Sequence, residues 1–236
     1  MLLSYKNGKE YDLEYDDKAH SYKVEGVKVP SVTRVVDGCF PKDLTHWALS
    51  IGQEEYDKVI NDALEIGNNT HQWIEDYINY NHLPSFLRKC TDLNEDHHIF
   101  KPVKAFLEWV EKYEPKWIDA ERKIYCDKHK YAGTVDAVAK INGRVCVIDF
   151  KTSKKIYKPY HLQVTAYAQA IKRIDGLRRW PLGMILRLDK ETGEYEQKVF
   201  EPKDHFDTFK KCLELRQWSS LRIKNDKDKL GERERV

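Results

Sequence analysis

"AGTVDAVAKINGRVCVIDFK", Ala132 to Lys151, reads as two strands folded about one tight turn. Asn142-Gly143 is the strongest short-range hairpin signal, because a type I′ turn needs positive φ at both central residues. Taken as a two-residue loop it sets the register: Ile141 faces Arg144, Ala139 faces Cys146, and Asp136 faces Asp149. Directly opposed residues on one sheet face hold their Cβ atoms about 4.5–5.5 Å apart, where like charges repel. Two opposed carboxylates therefore demand a counter-charge. A divalent cation, the Lys151 ammonium or a proton on one of the acids would each supply it. Alternation along the strand puts Asp149 and Lys151 on one face and Phe150 on the other, so the apolar run Val145–Ile148 breaks into two charges at its end.

Outward from this hairpin the pattern gives an α, β, β, β, α, β order. A strand near "AERKIYC" (Ala120–Cys126) precedes it. Before that, a helix runs from about Asn94 to Tyr113, with a stripe of Phe106, Trp109, Val110 and Tyr113 and a stop at Pro115. After it come a helix from Pro159 to Ile174, a second hairpin within Pro181–Phe200, and an amphipathic helix following Asp204. The first thirty residues alternate and are broken by Asp-Asp and Glu-Gly, as short strands or hairpins are. Ser31 and Thr33 open a mixed segment. Asp43 to Tyr80 is helical in pattern, with a break expected at Gly67-Asn68-Asn69, a new helix capped by Asn69 or Thr70 near His71, and a loop around Pro84. The expected class is α/β (α+β), a central mixed sheet flanked by helices. The domain plan is one domain over residues 1–222: an N-terminal hairpin and helical insertion (1–92), a core (93–200) and a C-terminal helix (203–222), followed by a charged flexible tail (223–236).

Composition narrows the classes. A chain of 236 residues, 41% apolar and 12% aromatic, can bury one good core. Its 41 basic and 39 acidic residues leave a net charge of +2, so any polyanion site must be a local patch. The five cysteines are scattered and form no CxxC pair, which argues against zinc or iron–sulfur chemistry and favours a reducing compartment. No run approaches the roughly 18 apolar residues of a membrane helix, and "MLLSYKNGKEYDLEYDD" turns acidic too early for a leader. The expectation is an intracellular, cytoplasmic protein with no membrane partner.

Taken alone, an Asp-x-Lys triplet is common. Joined to "GTVD" ending at Asp136, to Asp149-Phe150-Lys151, to "QVTAY" from Gln163 to Tyr167 and to "GNNTHQWIEDY" around His71, it resembles the PD-(D/E)XK nuclease superfamily, most closely its RecB-type branch. The first motif here reads Val-Asp in place of Pro-Asp. With "VPSVTRVV" and the Trp47 segment included, the resemblance spans about residues 29–190. It extends to the mitochondrial genome maintenance exonucleases and related phage exonucleases.

The resemblance implies a restriction-endonuclease-like core and a Mg²⁺- or Mn²⁺-dependent DNA exonuclease. It would act on single-stranded or frayed ends in replication, recombination or repair, and a phage-encoded member is one reading. By the same resemblance His71, Asp136, Asp149 and the Phe150 carbonyl would hold the metal. Lys151 would position or deprotonate the attacking water, with Gln163 and Tyr167 bracing it and contacting the backbone of the substrate. Glu121 would assist a second ion, although as a strand residue it reads more simply as an exposed carboxylate. Lys154, Lys155, Lys158, Tyr157 and Tyr160, alternating after the strand, suit phosphate neutralisation and base stacking. In the relatives, helices like those carrying Trp47, Trp73 and Tyr77 help to enclose the strand. With one cysteine, Cys212, after the core, no iron–sulfur cluster is expected. A lambda-type duplex-resecting exonuclease, a flap or defence endonuclease, and a catalytically silent DNA-binding module stay open as alternatives.

Overall fold

The structure, a computed structural model, describes residues 1–41, 44–80 and 93–220. The alternating N-terminal residues pair as an antiparallel meander of β1 (Leu2–Ser4), β2 (Glu10–Asp16), β3 (Ser21–Val24) and β4 (Val27–Val29). Leu13, Tyr22 and Val24 project from it into the core. The segment after Ser31, mixed by pattern, is a helix, α1 (Val32–Cys39). The Ser31 hydroxyl caps it by accepting the Arg34 N–H at 3.3 Å.

Helices α2 (Thr45–Ile51) and α3 (Gln53–Tyr80) follow. The break expected at Gly67-Asn68-Asn69 is absent, and α3 is continuous over 28 residues. A mid-helix glycine costs only about 1 kcal/mol relative to alanine. Here Trp73 and Ile74 are buried just beyond it, and the Thr70 hydroxyl, one of the two caps expected for a new helix, donates back to the Ile66 carbonyl at 2.7 Å. Packing outweighs the local stop signal. The next helix, α4 (Phe100–Tyr113), starts later than its pattern suggests. Asn94 takes the Asp96 N–H on its side chain and the His97 N–H on its carbonyl, a turn that competes with helix. Phe106 and Trp109 are fully buried, and Glu114, at φ 45°, ends α4 ahead of Pro115.

The main sheet runs β5 (Lys116–Cys126), β6 (Tyr131–Ile141), β7 (Arg144–Lys151), β8 (Leu182–Leu188) and β9 (Tyr195–Phe200), paired in that order. Only β7 and β8 are parallel, and α5 (Lys158–Ile174) makes the crossover that a parallel pair requires. A short 3₁₀ turn leads into α6 (Phe206–Ser220). Elements α4 to β8 thus form the expected αβββαβ core.

Asn142 and Gly143 take φ of 47° and 79°, as a type I′ turn requires, and the ladder pairs Ile141 with Arg144, Ala139 with Cys146 and Ala137 with Ile148. Two apolar clusters sandwich the sheet. Val138, Val147 and Ile185 belong to one with α1, α5, α6 and the N-terminal meander; Ile148, Phe150 and Leu186 belong to the other with α3 and α4. The loop around Pro84 and the tail 223–236 lie outside the described residues.

Candidate metal centre

The site forms where β7 changes partner. The β6–β7 ladder stops at Ala137–Ile148, while β7 continues beside β8 through Asp149–Ile185 to Lys151–Arg187. The next hydrogen-bonded pair of the old register would join Phe150 to Val135. Instead the Phe150 N–H donates to Asp136 Oδ2 at 2.8 Å, so a side chain replaces the missing rung. The ladder keeps the register read from the turn as far as Ala137–Ile148 and ends one residue short of the two aspartates.

Three elements converge on this gap. From α3, His71 Nε2 lies 3.1 Å from the Phe150 carbonyl oxygen, its ring edge-on to the Phe150 ring. His71 Nδ1 lies 3.6 Å from Asp136 Oδ2, so the imidazole stands between the Phe150 carbonyl and the Asp136 carboxylate. From β5, Glu121 stands opposite Asp136, between the pairs Ala120–Ala137 and Arg122–Val135. Ligand atoms of His71, Glu121 and Asp136 all lie within 4.8 Å of one another. The exposed-carboxylate reading of Glu121 is therefore corrected: it is half-buried, at φ 47°, and burial, then Asp136 and Glu75, pushes its carboxyl up to about 8.

Asp149 is wholly buried and outside that trio. Its Oδ1 accepts the Lys151 Nζ proton at 2.7 Å, and its Oδ2 is buried without a hydrogen-bond partner. Burial pushes the Asp149 carboxyl up, with Lys151 pulling it down and Asp136 adding to the rise. Burial alone would lower Lys151, but Asp149 and Asp136 outweigh it and hold the ammonium protonated. Of the counter-charges weighed from sequence, Lys151 is the one in contact with Asp149.

The remaining candidates divide. Lys151 is held by Asp149 and by the Tyr160 ring, 5.0 Å from Nζ, whereas Gln163 donates to the Tyr167 hydroxyl at 3.2 Å. Asp136 and Asp149 both act electrostatically on the Tyr167 hydroxyl, so the Gln163–Tyr167 pair lies within reach of the Asp149–Lys151 pair. Tyr167 is 3% exposed, its ring pressed on Gly133, where a Cβ would come within 2.8 Å of it. The Tyr167 side chain thus packs against β6 in the DNA-free structure. Lys154, Lys155, Tyr157 and Lys158 are exposed, with Tyr157 edge-on to Tyr160 at 5.6 Å. Trp73 and Tyr77 pack in the core beside Phe106, while Trp47 is partly exposed against Tyr56.

The donor set fits a hard divalent cation: an imidazole, carboxylates and a main-chain carbonyl, with no thiolate, and Asp149, one oxygen of which is unpartnered, lies within electrostatic reach of Asp136. The sequence profile of the PD-(D/E)XK nuclease superfamily matches residues 49–229. The chain belongs to the PD-(D/E)XK nuclease superfamily. Members of the superfamily use divalent metals, and the centre just described lies within the matched region. Among the curated relatives of this PD-(D/E)XK chain is mitochondrial genome maintenance exonuclease 1 of Mus musculus, 28% identical over 162 residues, a match covering 61% of the chain and 44% of the relative. The chain thus spans less than half the length of that relative. A solved Eubacterium rectale structure, provisionally named an exonuclease, is 13% identical at a TM-score of 0.39 and covers 64% of each chain. Among the described residues no helix is long and apolar enough to cross a membrane.

Proposed function

We propose that this PD-(D/E)XK protein is a Mg²⁺- or Mn²⁺-dependent deoxyribonuclease that hydrolyses phosphodiester bonds as an exonuclease, from single-stranded or frayed ends, in replication, recombination or repair. The observation that carries the reading is the convergence of His71, Asp136 and the Phe150 carbonyl at the point where β7 leaves β6, with the Asp149–Lys151 pair beside it. His71, Asp136, Asp149 and the Phe150 carbonyl would hold the ion. A divalent cation bound there supplies Lewis-acid polarisation of a phosphate oxygen and a bound water of lowered pKa.

The chain's own groups do the rest. Asp136, by accepting the Phe150 N–H, anchors the backbone of the residue whose own carbonyl faces His71. Lys151, protonated and 19% exposed, offers positive charge to a phosphate or to the attacking water. As an ammonium it is a charge-balancing and orienting group more than a proton acceptor. Lys154, Lys155 and Lys158 neutralise phosphates, and Tyr157 offers a face for an unpaired base.

The test is digestion of end-labelled linear and circular single-stranded DNA with Mg²⁺, Mn²⁺ or EDTA, comparing wild type with Asp149→Asn and Lys151→Ala. Degradation of linear strands only, abolished by EDTA and lowered at least about 100-fold in both variants, is expected. Full activity in either variant would overturn the assignment. Cleavage of circles would identify an endonuclease.

A further inference from the structure

We propose that Cys39 and Cys212 form a site of reversible thiol oxidation, closing into a disulfide that ties the end of α1 to α6 when the chain meets a low-molecular-weight disulfide such as oxidised glutathione. The inference is independent of the metal-dependent reading above. Cys39 is the last residue of α1, and Cys212 lies in the second turn of α6. They are 173 positions apart in sequence, yet the Cys39 thiol donates to the Cys212 carbonyl oxygen at 3.8 Å. The two thiols also meet each other: burial, then a hydrogen bond with Cys39, pushes the Cys212 thiol up to about 11.

The packing of the two helices brings about this approach. Gly38, next to Cys39, puts no side chain between them, and even a Cβ there would lie 3.9 Å from Arg216 Cδ, one turn beyond Cys212. Cys39 sits at a helix end, where the Phe40 N–H closes the last turn on the Val36 carbonyl, so its side chain can turn without disturbing a helix interior. A disulfide holds its Cβ atoms roughly 3.5–4.5 Å apart, and thiols already in contact are a side-chain rotation from that geometry. Among the described cysteines Cys39 alone is partly exposed. Cys126 and Cys146 are buried on β5 and β7, Cys146 in the apolar cluster on the other face of the sheet.

Exposure sets the order of the steps. The Cys39 thiol loses its proton to solvent and attacks one sulfur of oxidised glutathione; that S–S bond breaks and one glutathione leaves as a thiolate, which takes up a proton. The Cys212 thiol, likewise deprotonated, then attacks the Cys39 sulfur of the mixed disulfide and expels the second glutathione. Two electrons and two protons pass from the protein, and two reduced glutathione molecules leave. A bridge between positions so distant in sequence removes loop entropy from the unfolded chain, and it joins the helix that follows the N-terminal meander to the last helix of the fold. Oxidising surroundings lock this face, and reducing surroundings release it.

The experiment equilibrates the full chain with oxidised glutathione in excess over reduced, and compares it with the chain in dithiothreitol, for wild type, Cys39→Ser and Cys212→Ser. Non-reducing digestion of wild type should yield a peptide pair joined through Cys39 and Cys212, lighter by two hydrogens than the separate peptides. The melting temperature should rise by at least about 5 °C, return in dithiothreitol, and show no such rise in Cys39→Ser. Cys212→Ser should instead keep one glutathione on Cys39. If a variant fails to fold, the wild-type peptide map and its reversal by dithiothreitol decide. A stable glutathione adduct on wild-type Cys39, a bridge from either residue to a different cysteine, or a bridged chain that melts no higher than the reduced one would overturn the proposal.

Discussion

Glu121 concentrates the electrostatics of the site in one residue. Its carboxyl is held at about 8 against an ordinary 4.5, chiefly by burial, then by Asp136 and Glu75. A raised carboxyl stabilises the fold at low pH, where both states are protonated or only the native one is. As pH climbs through 4.5 the unfolded chain ionises first, so native stability falls from there up to about 8 and then levels off. Replacing the residue with a neutral isostere removes that loss. Metal-free Glu121→Gln should therefore match wild type in melting temperature near pH 5 and exceed it by several degrees at pH 8.5. The check is a pair of calorimetric scans in chelator at the two pH values; an offset that is the same at both would mean that the carboxyl titrates normally. The same swap at Asp149 is a poorer probe, because it would also strip Lys151 of its only ion-pair partner among the described residues.

At the level of elements, legibility tracked turn chemistry. The β6–β7 hairpin was readable because Asn142-Gly143 admits one turn geometry, and one register follows from it. The β5–β6 register was not readable. Its connection, Asp127 to Lys130, carries no such dipeptide, and only the folded pairing of Cys126 with Tyr131 places Glu121 opposite Asp136. The course of α3 was hidden for another reason: Gly67-Asn68-Asn69 signals a stop locally, and burial of Trp73 and Ile74 overrides it from a distance in sequence. His71 reaches the Phe150 carbonyl because that helix does not break. Spacing put Tyr167 on the face of α5 turned to the sheet, but periodicity says little about how deeply a side chain is covered, and its 3% exposure came only from the fold. The hairpin's dependence on its turn is directly measurable. Gly143 sits at φ 79°, where a Cβ is strained, so Gly143→Ala should lower stability by about 1–2 kcal/mol without touching the site chemistry. Denaturant unfolding would read this as a lower midpoint at unchanged slope; an unchanged midpoint would argue that the turn does not set the register.

Across the whole molecule, the site lies between two apolar clusters, at the end of β7, which has the antiparallel β6 on one side and the parallel β8 on the other. Each cluster packs against its own helices, so the sheet does not need the ion for assembly, unlike a small domain organised by structural zinc. The acids at the gap nevertheless raise the energy of the metal-free fold, and a cation that binds the folded chain alone must stabilise it by mass action. At a free concentration about one hundred times its dissociation constant the gain is about 2.7 kcal/mol. For a chain of this size each kcal/mol is worth about 2–4 °C. Saturating Mn²⁺ should thus raise the melting temperature by about 5–10 °C. Excess EDTA should return it to the metal-free value with the far-ultraviolet circular dichroism unchanged. The rise should be nearly lost in Asp136→Asn, which removes the carboxylate common to the Phe150 contact and the His71 contact. Collapse of secondary structure in EDTA would instead assign the ion to holding the sheet together, and an equal Mn²⁺ shift in Asp136→Asn would place the ion away from the β6–β7 gap.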